Sequence, residues 1–400
     1  MSNSSHRLPG LVGRGLLIVA ALSLTGCSAF NQALAGIQGL AASVATATPQ
    51  PAPTQPATEP TVTPVPPTVT PQPNVRVEFA LVSDAVGQLT WAELPIKPAR
   101  VPGTGLRPTG GTYLDIAFAL PGTPPNTALR FDAAGAQPLT FLSPRTTLAL
   151  EPRPLDTVGR LAWTALSADG VTQALFMGNV DGTGVTQLVG SASPVEVAGW
   201  SADGAAVYYA EEPVAAPAEL VYPGVSSLFR YDLVTSRIDA LVPTDPARVA
   251  CIDDLAPDGA SVVEHCGTVK ELVIRYLGGP TTTVQAPPTI PGEAAIGSAR
   301  FSLDGRRIAF ALASTTLPEV ISWVAVSDGL GGGATQLLQS QPNERYSVIA
   351  WLGPTDLLIQ AHLMGCAEAC DSLYVLNLDT HNRVKFADGV FVTFSAARPE

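Results

Sequence analysis

The feature that most constrains this chain is a pattern that returns from Asn74 onward: an apolar or aromatic residue, a turn rich in Asp and Gly, then an alternating apolar strand. It is clearest in Gly199-Trp200-Ser201-Ala202-Asp203-Gly204, which runs on through Tyr209, and in Arg300-Phe301-Ser302-Leu303-Asp304-Gly305, which runs on through Phe310. Leu255-Ala256-Pro257-Asp258-Gly259 opens a third copy. With the residue before each turn as the marker, the slots fall at Leu106, Leu150, Trp200, Leu255, Phe301, Trp351 and Phe394, spaced 43 to 55 residues apart. A period of about 48 is that of a propeller blade rather than of a helical repeat. Several copies are followed by a second hairpin, Leu175 to Leu188 with Asp181-Gly182 at its tip and Leu373 to Val384 with an Asn-rich tip. Gly, Asp and Asn supply the positive φ that tight hairpins require. Each repeat therefore holds about four strands, and the body is expected to be all-β. Composition agrees: 14% charged residues against 46% apolar, with 36 Gly and 37 Pro, suits short strands and turns rather than amphipathic helices.

These residues resemble the TolB-like (PD40, WD40-like) β-propeller repeats, whose signature is aromatic-Ser-Pro-Asp-Gly before a strand and whose later hairpin often reads Asp-Gly-Ser/Thr-Gly. The resemblance runs from about residue 75 to 396, strong around Trp200, Phe301 and Asp181 and weak around Leu106 and Leu150. It implies a β-propeller of four-stranded blades. The TolB protein itself carries a separate N-terminal α/β domain and six blades; here a stalk stands in that domain's place, so its partners are not implied for this chain.

Blade count and closure can be read from the ends. Gly389 to Ser395 begins a unit that is not finished, while Val75 to Val82 and Gln88 to Leu94 look like the middle strands of one. Joining them in a shared closing blade would cover two open edges that otherwise invite association. Seven blades result, with six or eight as alternatives, and the closed ring is expected to be a monomer.

Upstream, Arg7 and Arg14 precede the apolar run Leu16 to Leu24. At 1.5 Å per helical residue, nine residues fall well short of the ~30 Å hydrocarbon core, so residues 1–26 read as a signal peptide rather than a span. Leu24-Thr25-Gly26-Cys27 resembles the bacterial lipobox. The resemblance implies cleavage between Gly26 and Cys27 and acylation of Cys27, with the lipid bilayer as the first partner. The product would sit on the outer face of the cytoplasmic membrane or on the outer membrane. Residues 27–47 form the tether. In 48–74, Pro49, Pro51, Pro53, Pro56, Pro60, Pro64, Pro66, Pro67, Pro71 and Pro73 remove backbone donors and fix φ, which makes a disordered Pro/Thr-rich stalk. Residues 75–400 are the propeller domain.

Beyond Cys27, Cys251, Cys266, Cys366 and Cys370 make an even number for an oxidising compartment. Cys251 and Cys266 lie nearly symmetrically about the Pro257-Asp258-Gly259 turn and are expected to pair across a hairpin. Cys366 and Cys370 are expected to close a small loop, although the spacing and nearby His362 admit a metal.

Few residues stand in reactive patterns. The formal charge of −12, with no basic run, excludes nucleic acid as a partner. No Gly-x-Ser-x-Gly occurs. Gly329 to Ala334 fits a dinucleotide-binding pattern but stands between strands, as a hairpin tip would. Asp203, Asp258 and Asp304, with Gly204, Gly259 and Gly305, recur at one turn offset, as do Asp181 and Gly182 at a hairpin tip; this marks structural turns rather than catalytic carboxylates. Trp200, Phe301 and Trp351 are expected between blades, and His265, His362 and His381 in surface or loop positions. No cofactor or metal site is expected. The variable ground is the long connections 211–227 and 362–371. Two functions remain: a non-catalytic binding or scaffold module for an envelope protein, peptide or glycan, or a hydrolase, lyase or lactonase with a cation or carboxylate site at the channel.

Overall fold

A computed structural model describes residues 77–396 apart from 85–87, 97–111, 114–115, 120–127, 133–134, 143–146, 154–158, 167–171, 202, 212–220, 223, 246–248, 250, 267–270, 291–293, 315–318, 329–331 and 367–369. Cys27, Gly26 and the stalk lie outside the described residues. Six four-stranded antiparallel sheets follow one another, each built from four consecutive strands, which makes the domain a β-propeller. Blade 1 comprises Thr112–Tyr113, Ile116–Ala119, Leu129–Asp132 and Gly135–Pro138; blade 2 comprises Thr147–Pro152, Arg160–Leu166, Gln173–Asn179 and Thr186–Ser191. Blade 3 holds Val195–Trp200, Ala206–Glu211, Leu228–Asp232 and Ile238–Val242, and blade 4 holds Ile252–Leu255, Ser261–Glu264, Glu271–Tyr276 and Thr281–Gln285. Blade 5 is Ala294–Phe301, Arg307–Ser314, Ser322–Asp328 and Thr335–Gln339; blade 6 is Glu344–Trp351, Asp356–Leu363, Asp371–Asn377 and Arg383–Asp388. A further sheet of three strands sets Val77–Ser83 between Leu89–Glu93 and the last strand, Val390–Ala396.

Burial orders the strands within a blade. First strands such as Ile252–Leu255 are buried throughout, whereas fourth strands such as Thr281–Gln285 alternate with solvent. The first strands of blades 2 and 3, 4 and 5, and 5 and 6 also approach one another, so they line the axis. The apolar clusters lie between blades: Ala162 and Leu175 of blade 2 pack against Val195, Val197 and Trp200 of blade 3. In the same way Ala309 and Val324 of blade 5 pack against Tyr346 and Trp351 of blade 6. Each interface buries the alternate residues of two sheets, which is why the strands carry apolar side chains on both faces near the axis.

The turns between first and second strands share one chemistry. In blade 3, Asp203 Oδ1 accepts from the Ser201 hydroxyl at 2.6 Å and the Ala205 amide at 3.0 Å, while Gly204 adopts φ +64°. Blade 5 repeats this with Asp304, Ser302, Arg306 and Gly305, and blade 4 keeps Asp258, the Ala260 amide and Gly259 but has Ala256 in place of the serine. At the hairpin tip of blade 2, Asp181 accepts from Thr183 beside Gly182 at φ +82°. The tryptophan markers tie blades together: Trp200 Nε1 donates to the Glu151 carbonyl and Trp351 Nε1 to the Arg300 carbonyl.

One slot needs correction. Arg153 N bonds Arg160 O, as Ser201 N bonds Ala206 O and Ser302 N bonds Arg307 O, so the marker of blade 2 is Pro152 and not Leu150. This turn is longer and has no Asp-Gly, which let the apolar Leu150 mislead the alignment. Leu106 lies outside the described residues, and the first strand of blade 1 is Thr112–Tyr113.

Candidate functional site

Antiparallel order gives the propeller two unlike rims. The short Asp-Gly turns joining first to second strands and the hairpins joining third to fourth lie on one rim, here the turn rim. The longer second-to-third connections and the passages between blades lie on the other, the loop rim. Both disulfides are on the loop rim: Cys251–Cys266, Cα atoms 4.9 Å apart, brackets the first hairpin of blade 4, and Cys366–Cys370, 5.7 Å apart, closes the tip in blade 6. His362, the residue that had left a metal open there, bonds Asp371 instead, with Nδ1 3.1 Å from Oδ1.

The loop rim is crossed by this chain's own connection from blade 3. Val225 exchanges both backbone bonds with Ile252, N to O at 2.8 Å and O to N at 2.9 Å, on the edge of the blade 4 first strand that faces the axis. Three residues earlier Tyr222 is buried among Ala309, Ala311, Val324, Tyr346 and Val348 of blades 5 and 6, its hydroxyl 3.5 Å from that of Ser322. The described residues of segment 221–225 thus lie across the channel mouth. Burial pushes the Tyr222 phenol far above its usual range, partly offset by the Ser322 hydrogen bond and the charge of Arg345.

His265 holds this segment. Its Nε2 donates to the Tyr222 carbonyl at 2.7 Å, and its Nδ1 lies 2.7 Å from Asp253 Oδ2, with both side chains buried. The same Asp253 accepts the Ser298 amide on Oδ1, and its carbonyl accepts from Arg300, whose guanidinium also reaches the Ile349 carbonyl. Asp254 bonds the Phe301 amide of the next blade. Gly297 faces the joint: a Cβ there would meet Tyr222 Cβ at 2.6 Å and His265 Cε1 at 3.1 Å, so only glycine fits. Surface or loop placement was expected for His265; it is instead a buried clasp beside a disulfide. Two adjacent acids in an apolar strand, Ile252-Asp253-Asp254-Leu255, were the sequence signal that would have found its partner.

This cluster looks like a catalytic dyad by composition and is not arranged as one. A general base needs a nitrogen facing substrate, and here Nε2 is committed to a carbonyl while Nδ1 faces the carboxylate. Among the described residues no three His, Cys, Asp or Glu side chains gather as a cation ligand set. On the turn rim, a cavity of about 300 Å³ is lined by Ser302, Asp304, Arg307, Leu352 and Pro354; Arg307 stacks 4.8 Å from the Trp351 ring centre and donates to the Pro354 carbonyl.

The strand order and these sites define a β-propeller with one mouth crossed by its own loop. No family model matches the chain, and no curated protein does. Among solved structures, TolB from Acinetobacter baumannii is similar over 71% of this chain and 66% of its own, at 18% identity and a TM-score of 0.41. An oligogalacturonate lyase in complex with manganese is similar over 79% of this chain and 86% of its own, at 12% identity and a TM-score of 0.48. A prolyl endopeptidase is similar over 73% of this chain and 50% of its own, at 14% identity and a TM-score of 0.40. The chain spans less than two thirds of the TolB and endopeptidase chains, and likeness at this level is likeness of fold alone.

Proposed function

We propose that this chain is an exported lipoprotein, cut between Gly26 and Cys27 and acylated on Cys27, whose stalk presents a non-catalytic binding module to an envelope protein, peptide or glycan. The three-stranded sheet serves as a seventh blade shared by both ends of the domain, and the protein works as a monomer. The observation that carries the binding reading is the commitment of the buried polar cluster at the channel mouth. His265 is bonded on both nitrogens and Asp253 on both oxygens, so these groups hold Tyr222 in place instead of facing a substrate. Loops fixed on a rigid scaffold are the usual seat of recognition.

The partner is expected on the loop rim, where Met364 stands 39% exposed beside the Cys366–Cys370 tip. A photo-reactive side chain placed at Met364 should yield cross-linked adducts in the cell envelope, and one placed at Val234, 85% exposed on the turn rim, should not. Adducts from Val234 alone would move the binding face to the other rim. The anchor is tested separately: Cys27→Ser should abolish palmitate labelling and shift the protein from the membrane to the soluble fraction.

A further inference from the structure

The interface between blade 6 and the three-stranded sheet holds a cation that the fold leaves unanswered. Arg345 lies at the loop-rim end of the first strand of blade 6, and its Nε is sealed from solvent with no hydrogen-bond partner. Its neighbours in sequence are engaged elsewhere: Glu344 accepts from Arg383 and from the Tyr346 hydroxyl, and the Tyr346 ring packs toward blade 5. Alternation along the strand therefore turns Arg345 and Ser347 the other way, toward the three-stranded sheet. His362, the direct cross-strand partner of Arg345, shares that face. So does Gln360, whose Oε1 accepts the Phe391 amide of the last strand and thereby marks the surface this face meets. The carboxylate of this group is already taken, because Asp371 Oδ1 is bonded to His362 Nδ1 and to Gln360 Nε2. Among the described residues no acid forms an ion pair with Arg345.

A guanidinium keeps its charge throughout the accessible pH range, so an unmatched N–H on it is not relieved by losing a proton and calls for an acceptor. Its planar fork matches a carboxylate through two parallel bonds, and the Ser347 hydroxyl on the same face adds a further donor. The border of this spot is apolar. Leu363 and Met364 follow His362 at the rim and Val390 opens the last strand, and all three are exposed. A carboxylate with an apolar side chain beside it is the ending of a peptide whose last residue is apolar, and capture of such an ending is a recurring mode of peptide recognition. We propose that Arg345 and Ser347 receive the C-terminal carboxylate of an extended peptide, with its last side chain against Leu363, Met364 and Val390. This rests on the loop rim being the binding face and names the chemistry recognised there.

The test uses the full chain and a synthetic peptide library randomised at its last four positions, prepared once with free C-termini and once as C-terminal amides. Affinity selection on the wild type should enrich aliphatic or aromatic residues at the last position of the free library and enrich nothing from the amides. Arg345→Met should weaken binding of the enriched peptides by about thirtyfold. The substitution removes no hydrogen bond of the described structure, so the melting temperature should stay at the wild-type value. Absence of enrichment by the wild type, equal enrichment from the amides, or equal binding by Arg345→Met overturns the site, and the first two outcomes need no variant to fold. The two readings fail separately: envelope adducts from Met364 that persist undiminished in Arg345→Met would keep the loop rim as the binding face and remove the carboxylate from it.

Discussion

Single side chains here set how stability answers to pH, in opposite directions. Burial first, and the like charge of Glu196 second, raise the Glu151 carboxyl to about 8. Below about 4.5 Glu151 is protonated whether the chain is folded or not; as pH rises toward 8 the unfolded chain gives up that proton while the folded chain keeps it. Stability is therefore fullest at the acid end of this window and falls across it, by about 4 kcal/mol at most. Glu151→Gln should remove this slope, as read by denaturant unfolding at pH 4.5 and pH 8.5. The Ser201 hydroxyl holds Asp203 below the usual carboxylate range. Asp304 is raised by burial, yet its bonds to Ser302 and Arg306 and the charges of Arg306 and Arg307 bring it down overall. Their contribution is present above the unfolded value near 3.9 and is lost as pH falls through the lower folded values. Asp203→Ala should cost about 1 kcal/mol at pH 7 and progressively less as pH falls below the unfolded value. These aspartates were legible in the sequence because they recur at one offset. Glu151 was not, since its meaning depends on which side chains the next blade brings to it.

At the scale of elements, the strands and their order were readable because periodicity and turn chemistry agree around Trp200 and Phe301. The alignment slipped by two residues in blade 2, where the turn from Arg153 to Gly159 offers no Asp-Gly to anchor it. Segment 221–225 was legible only as a long connection; that it crosses the mouth and pairs with Ile252 depends on contacts 27 to 43 residues apart, which no local pattern records. Gly297→Ala should dislodge this segment while sparing the blades. Limited proteolysis should then cut within 211–227 several times faster than in wild type, with an unchanged far-UV spectrum. The Cys251–Cys266 bridge closes 15 residues around the hairpin that carries His265. Its loss in a Cys251→Ser, Cys266→Ser double variant should cost about 3 kcal/mol by loop-closure entropy, measured by equilibrium unfolding.

For the molecule as a whole, the decisive pairing is between the first and last described strands. Val77–Ser83 is bonded on one edge to Leu89–Glu93 and on the other to Val390–Ala396. Deleting residues 390–400 would bare one edge of Val77–Ser83, and the truncated chain should associate through it; light scattering at rising concentration checks this. The same pairing has a mechanical consequence. A pull arriving along the chain from residue 76 meets a strand gripped on both sides, and a tug along its length loads the rungs of both ladders together instead of peeling them one at a time. Under the proposed anchoring, drag on the domain would thus be shared between the first and last described strands.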